Sequence, residues 1–252
     1  MPRFAVILPA AGKSSRFRDQ HYKKPFALLD GRPVWMHAAD RFANRKDVIQ
    51  SLIVIAPEDR DHFTEKFGGN AALLGLEIVD GGNERYESVA RALERVKPEA
   101  DFVAVHDAAR PCIVDEWIDA VFAAAAKTGA AILAAPVNGT LKRAGADHTI
   151  AETVARENLW EAQTPQVFRR QLLIDAYARR DHPVGGARQP ATDDAQLVER
   201  LGQKVTIVPG SPMNIKITTK EDLRIAAALL KVLPRPKLAN PAHPFADDDL
   251  WR

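Results

Sequence analysis

Short β-type runs alternate with longer helical stretches along most of the chain, and this alternation limits the fold more than any other feature. Strands are predicted over residues 4–9, 51–56, 76–79, 102–106, 130–135 and 204–208. Helices are predicted over 34–43, 57–67, 86–96, 114–127, 169–180 and 192–201, with 220–233 closing the series. Within the third of these, Val89, Leu93 and Val96 have the spacing of one helix face. Strands joined by helices imply crossover connections, hence an α/β fold with a mostly parallel sheet flanked by helices. Ligands of such sheets bind beyond the carboxyl ends of the strands. The post-strand segments here read Pro9-Ala10-Ala11-Gly12, Asp80-Gly81-Gly82-Asn83 and Asp107-Ala108-Ala109-Arg110-Pro111. Three loops of small and polar residues at one sheet edge are expected to build one site.

Two segments break the alternation. Residues 138–160 hold Thr, Lys, Arg and β-branched residues without a helical face. They are read as a protruding β-arm which, if it projects, packs on another subunit. Residues 183–190 read as a loop. From Pro234 onward the chain carries four of its 17 prolines and the run Asp247-Asp248-Asp249, which suits a loosely held tail. The expected organisation is one domain over 1–233 and a tail over 234–252.

A chain of 252 residues can bury a sizeable core. Its 35 basic and 33 acidic residues leave a net charge of +2, which argues against a nucleic-acid partner. The single Cys112 excludes an internal disulfide framework and fits a reducing, cytoplasmic setting. The apolar start Phe4-Ala5-Val6-Ile7-Leu8 stops at Pro9 and is followed by Lys13, Arg16 and Arg18, so it reads as a buried strand rather than a signal peptide. The most apolar window, 120–137, is broken by Lys127, Gly129 and Pro136, so no membrane span is expected.

The first chemical signal is Pro9-Ala10-Ala11-Gly12-Lys13-Ser14-Ser15-Arg16-Phe17. Small residues let backbone N–H groups approach a phosphate, Ser14 and Ser15 add hydroxyls, and Arg16 adds a forked cation. The loop lacks the G-x-G-x-x-G fingerprint, and although Gly12-Lys13-Ser14 reads G-K-S, Ile7 stands where a Walker loop would have its first glycine, so it is not read as one. On composition alone it reads equally as a strand-to-loop turn with a solvated basic edge. Lys23-Lys24-Pro25-Phe26 follows, and a lysine beside a triphosphate neutralises charge on the transferred phosphorus.

P-A-A-G-x-S-S-R-F with a downstream K-P resembles the nucleotidyltransferases acting on sugar and polyol phosphates. Later motifs narrow the resemblance to the methylerythritol phosphate cytidylyltransferases of isoprenoid precursor synthesis. These are Asp80-Gly81-Gly82-Asn83-Glu84-Arg85-Tyr86-Glu87-Ser88-Val89, Val105-His106-Asp107-Ala108-Ala109-Arg110-Pro111, Thr164-Pro165-Gln166-Val167-Phe168, Thr192-Asp193-Asp194-Ala195 and Asn214-Ile215-Lys216-Ile217-Thr218. They run in order from about residue 4 to about residue 231. The resemblance implies a Rossmann-like fold with a dimerisation arm. It implies transfer of CMP from CTP to a polyol phosphate, with Mg²⁺ or another divalent cation.

Position by position, the resemblance places Ala10, Ala11, Gly12, Ser14 and Ser15 on the nucleotide loop. It gives Arg16, Lys24 and Lys216 catalytic roles, with Arg16 and Lys24 on the triphosphate. Gly82, Asn83 and Ser88 would read the cytosine. Asp107 would lie near the metal and the polyol phosphate, which Arg110, Thr164 and Lys216 would grip. Thr140 and Arg156 would reach from the arm into the partner's site.

This assignment agrees with the chemistry. The substrate phosphate is already a nucleophile, so the protein must juxtapose two anions and stabilise charge at the α-phosphorus. Structural alternatives stand beside it. Asp107 and Arg110 suit an ion pair at a strand end, His106 the end of a buried strand, Arg85 a brace for the base loop, and Thr192 and Asp193 a helix N-cap.

The chain departs from the family pattern at Asn83, where an aspartate is common. An amide both donates and accepts, so looser discrimination between CTP and UTP is expected. The order Lys23-Lys24-Pro25 leaves Lys23 as a competitor of Lys24. A ribitol phosphate cytidylyltransferase shares nearly every motif, a guanylyl- or uridylyltransferase shares the first loop, and a non-catalytic nucleotide-binding protein shares the fold.

Overall fold

The computed structural model describes residues 1–12, 24–180 and 191–236, with the backbone alone at Lys24. Ser14, Ser15, Arg16, Lys23 and the 183–190 segment lie outside the described residues, as does the tail beyond Pro236.

Strand β1 (Phe4–Pro9) alternates its side chains between two apolar layers. Phe4, Val6 and Leu8 enter one core, while Ala5 and Ile7 enter the other. A strand buried on both faces reads as a continuous apolar run. After a 3₁₀ turn (Lys24–Phe26) and a small ribbon of β2 (Leu28–Leu29) and β3 (Arg32–Pro33), helix α1 spans Val34–Ala43, as predicted. It buries Trp35, Ala38, Ala39 and Phe42, the i, i+3, i+4, i+7 stripe of an amphipathic helix.

Strand β4 (Val48–Ile55) leads to α2 (Arg60–Leu73), and β5 (Leu76–Asp80) to α3 (Arg85–Leu93). Helix α2 runs past the predicted end at 67, through Gly68 and Gly69. Phe63, Phe67 and Ala71 explain this, since one buried residue every four positions holds the face to the core. Strand β6 (Phe102–Val105), α4 (Asp115–Thr128) and β7 (Ala130–Pro136) follow. Next come β8 (Leu141–Ala144) and β9 (Ile150–Val154), paired only with each other, then β10 (Trp160–Arg169). Helices α5 (Arg170–Ala178) and α6 (Asp194–Glu199), strand β11 (Thr206–Pro209) and α7 (Lys220–Val232) complete the series.

The main sheet has the order β11-β7-β10-β6-β1-β4-β5. All neighbours in it are parallel except β10, which runs antiparallel to both β6 and β7. The predicted α/β, mostly parallel sheet is therefore observed, with one strand the alternation did not reveal. Trp160 corrects the arm's far boundary, because it pairs with Pro136 in the main sheet. Residues 161–168, left without an element in the prediction, and Arg169, predicted as a helix start, carry the rest of β10. Its register is interrupted between Ala162 and Gln166, around Pro165, which has no N–H to give the ladder.

Helices α1, α2 and α4 cover one face of the sheet, and α3, α5 and α6 cover the other. This layering leaves the C-terminal ends of β1, β4, β5 and β6 together at one edge. Antiparallel β10 brings its N-terminal half to that same edge.

Candidate active site

The edge holds a cavity of about 180 Å³ lined by Pro9, Ala10, Ala11, Gly12, Pro25, Arg85, Ser88, Asp107, Ala109 and Lys216. Six predicted site residues therefore share one space: Ala10, Ala11, Gly12, Ser88, Asp107 and Lys216. The β1 and β5 loops touch closely. A side chain at Gly81 would place its Cβ 2.6 Å from Ala11 Cβ and 2.8 Å from Ser88 Oγ, so only glycine lets these loops meet. The Gly82 amide donates to Ser88 Oγ at 3.1 Å, and the Asn83 amide donates to Glu87 Oε2 at 2.7 Å. Arg91 braces the same loop by donating to the Gly81 carbonyl at 2.6 Å.

Asp107 is the electrostatic centre of the site. Its Oδ2 accepts from Lys216 Nζ at 2.6 Å and lies 3.8 Å from Arg110 Nε. Its Oδ1 accepts from Arg85 Nε at 3.3 Å. Burial opposes its charge, but Arg85, Lys216 and Arg110 outweigh burial and hold the carboxyl far below its ordinary range. Asp107 is therefore a fixed anion among three cations. Arg85 is shared, since its Nη2 donates to Asp194 Oδ2 at 2.8 Å. Burial works against its charge as well, yet Asp194 and then Asp107 keep it firmly protonated.

Behind Asp107 the polar groups form a closed set. The Asp107 amide donates to Thr164 Oγ1 at 3.0 Å, and Thr164 Oγ1 lies 3.1 Å from His106 Nδ1. His106 Nε2 lies 3.1 Å from the Arg110 carbonyl. A carbonyl can only accept, so Nε2 carries the proton. Burial lowers the His106 pKa to about 4, so the ring is neutral and its bare Nδ1 receives the Thr164 hydroxyl proton. Arg110 donates from Nη1 to the Asn214 carbonyl at 2.6 Å, and Asn214 Nδ2 donates to the Thr164 carbonyl at 2.9 Å. Loops after β6 and β11 and the middle of β10 are thus locked to one another.

The remaining predicted residues fall elsewhere. Thr140 and Arg156 are exposed beside the β8–β9 hairpin, and Arg156 donates to the Asn138 carbonyl. Neither lines the cavity within one chain. Arg16, Ser14 and Ser15 lie outside the described residues, and so does the Lys24 side chain.

A family model for 2-C-methyl-D-erythritol 4-phosphate cytidylyltransferase matches residues 4–232. The chain belongs to this family. Among curated relatives of the cytidylyltransferase family, the protein of that name from Rhodopirellula baltica is 48% identical over 237 residues, covering 90% of this chain and 94% of the relative. The one from Solibacter usitatus is 41% identical over 244 residues, covering 91% and 96%. A solved cytidylyltransferase from Thermus thermophilus superimposes with a TM-score of 0.72 at 35% identity, covering 92% of this chain and all of the other. A 4-diphosphocytidyl-2C-methyl-D-erythritol synthase from Anaerococcus prevotii gives a TM-score of 0.76 at 28% identity, covering 91% and 96%. Among the described residues no helix is long and apolar enough to cross a membrane.

Sequence reasoning missed Asp194 and gave Arg85 only a bracing role. The signal lay in Thr192-Asp193-Asp194. A helix start needs one cap, and Asp193 supplies it by accepting from the Gln196 amide. That leaves a second aspartate with another use. The Asp107–Arg110 ion pair, weighed as a structural alternative, is present but long at 3.8 Å, and Arg110 is spent mainly on Asn214.

Proposed function

We propose that this chain transfers CMP from CTP to 2-C-methyl-D-erythritol 4-phosphate, releasing pyrophosphate. The observation that carries this reading is the convergence of the β1 and β6 loops and the start of α3 on one cavity whose wall is the Asp107–Lys216 pair. The family and the relatives' names supply the substrates.

The reaction is an in-line displacement in which a phosphate oxygen of the polyol attacks the α-phosphorus and pyrophosphate leaves. No proton need be removed from the nucleophile, so the protein's work is placement and charge. In this reading Ala10, Ala11 and Gly12 offer backbone amides to the triphosphate, together with Ser14 and Ser15. Arg16 and Lys24 hold the triphosphate as charge builds at the α-phosphorus. Gly82, Asn83 and Ser88 meet the base. Lys216 and Arg110 face the polyol phosphate, and Thr164 serves it by holding the Asp107 amide. The site excludes a general-base role for His106, whose two nitrogens are committed inside the protein.

The family uses a divalent metal, and the donor set suits one. Asp107 is a fixed carboxylate at the cavity wall, and among the described residues no cluster of three His, Cys, Asp or Glu offers a complete protein cage. A hard cation held by one carboxylate takes its remaining oxygens from phosphates and water, which is the habit of Mg²⁺. Bound there, it supplies charge to neutralise the phosphates being brought together. We read residues 1–233 as one nucleotidyltransferase domain, with the hairpin carrying Thr140 and Arg156 to the second subunit of a homodimer and 234–252 as a tail.

The test is pyrophosphate release from CTP and magnesium, with methylerythritol phosphate and ribitol 5-phosphate offered separately. Turnover with methylerythritol phosphate alone is expected. Turnover with ribitol 5-phosphate alone would move the assignment to that acceptor. Intact CTP binding without turnover on either would make the chain a binding protein.

A further inference from the structure

Asp194 opens α6 with its carboxylate wholly shielded from solvent, and the chemistry described so far makes no use of it. Capping does not explain it, because Asp193 caps the helix. The Asp194 side chain turns inward, where Oδ1 accepts from the Tyr177 hydroxyl and Oδ2 accepts from Arg85 Nη2 at 2.8 Å. The same guanidinium presents Nε to Asp107 Oδ1 at 3.3 Å. One planar fork thus joins a carboxylate on α6 to the carboxylate at the end of β6. Helix α6 is itself tied to β10, since the Ala195 amide donates to Gln166 Oε1 at 2.9 Å and Gln166 Nε2 donates to Asp193 Oδ2 at 2.8 Å. Asp194 is therefore anchored to the strand that carries Thr164.

We propose that Asp194 is a positioning residue for the transfer reaction: by holding one arm of Arg85, it sets where the guanidinium meets Asp107 and leaves the other Asp107 oxygen to Lys216. The proposal rests on the cytidylyltransferase reading of the site. With the Asp194 charge gone, the attraction on Arg85 becomes one-sided. The fork turns both arms to Asp107 and competes with Lys216 for Oδ2, which now lies 2.6 Å from Nζ. Lys216 and Asp107 then leave the arrangement that receives the phosphates. Tyr177, which stays a hydrogen-bond donor because burial and then Asp194 push its pKa upward, keeps Asp194 from following Arg85.

A double-variant cycle tests this. Asp194→Asn keeps the shape and removes the charge. It should lower kcat by up to about 100-fold, the scale of a displaced catalytic group, with the KM for CTP unchanged. In an Arg85→Gln background the same change should cost nothing more in kcat, because the restrained group is gone. Additive losses in the cycle, or an unaltered kcat in Asp194→Asn, would overturn the proposal.

A second readout needs no turnover. The Arg85 Nη–H resonances, identified by their loss in Arg85→Gln, should exchange with solvent faster in Asp194→Asn, because Nη2 leaves a wholly buried partner for the cavity wall. Unchanged exchange would overturn the proposal. If Asp194→Asn does not fold, Tyr177→Phe leaves both charges and loosens Asp194. Faster Arg85 exchange is then expected, and exchange as in the unaltered chain counts against the idea. Failure of the unaltered chain to turn over would sink the functional reading, while the restraint on Arg85 would still be decided by its own resonances.

Discussion

The wall around Asp107 and the β8–β9 hairpin are both laced with opposite charges, yet they behave as different materials. At the wall, Asp107 is 9% exposed and meets Lys216, Arg85 and Arg110. On the hairpin, Arg143 meets Glu152 with side chains 67% and 54% exposed, and Lys142 donates to Thr153 at 2.6 Å. Water and salt screen the second set, so those contacts bind weakly and exchange readily. The first set is sheltered, and removing one partner strands a charge. Shelter holds the wall's geometry in place, whereas the exposed pairs on the hairpin add little to hold its own.

The sharpest way to break this contrast is at Lys216. Lys216→Ala should lower kcat/KM by about 10³-fold, the scale of losing a cation aimed at developing charge, as read by pyrophosphate release. A loss under tenfold would mean that the wall is scaffolding only. Acid is the next probe. Burial drives the folded-state pKa of His106 from its ordinary 6.5 to about 4, so the unfolded chain binds the proton first. The stabilising contribution is complete above about pH 6.5 and drains away as pH falls toward about 4, a loss of about 3 kcal/mol. Denaturant unfolding across that range should show the slope, and His106→Asn should flatten it.

Arg156→Ala comes third. It should raise the polyol phosphate KM and lower kcat by about tenfold together, leaving CTP affinity alone, since substrate-positioning groups act on both parameters. Equal loss of CTP binding would put Arg156 elsewhere. The smallest effect is expected for Arg143→Ala, which should change stability by less than about 1 kcal/mol because its pair is exposed. A larger loss would mean that the hairpin is as sheltered as the wall.

How legible this was in the sequence follows the same line between apolar and polar burial. Helix α1 was read to the residue because Trp35, Ala38, Ala39 and Phe42 write the helical period in apolar letters. The six parallel-type strands were readable for the same reason. Strand β10 was not, because its buried middle is Gln163, Thr164 and Gln166 around Pro165, a string with the composition of a loop. Those polar residues are buried because they hold the site: Thr164 holds Asp107, and Gln166 holds α6. Asp107 and the β1 loop were found as segments following strands, and Ser88 and Lys216 through the motifs that carry the family resemblance. Arg85 and Asp194 eluded the sequence reading because their significance is a shared guanidinium between residues far apart in the chain.

Residues 155–159 join the hairpin to strand β10. Trp160, Glu161 and Ala162 pair with Pro136, Ala135 and Ala134, and two residues further on Thr164 holds the Asp107 amide. At about 3.3 Å per residue, the rod from Ala162 to Thr164 is under 10 Å long. A pull on the hairpin therefore reaches Thr164 along the chain and passes from it, by one hydrogen bond, to the Asp107 amide. Under the homodimer proposed above, dilution that separates two copies would slacken the cavity wall as well as carry away Thr140 and Arg156, and assembly and turnover should rise along one shared concentration curve.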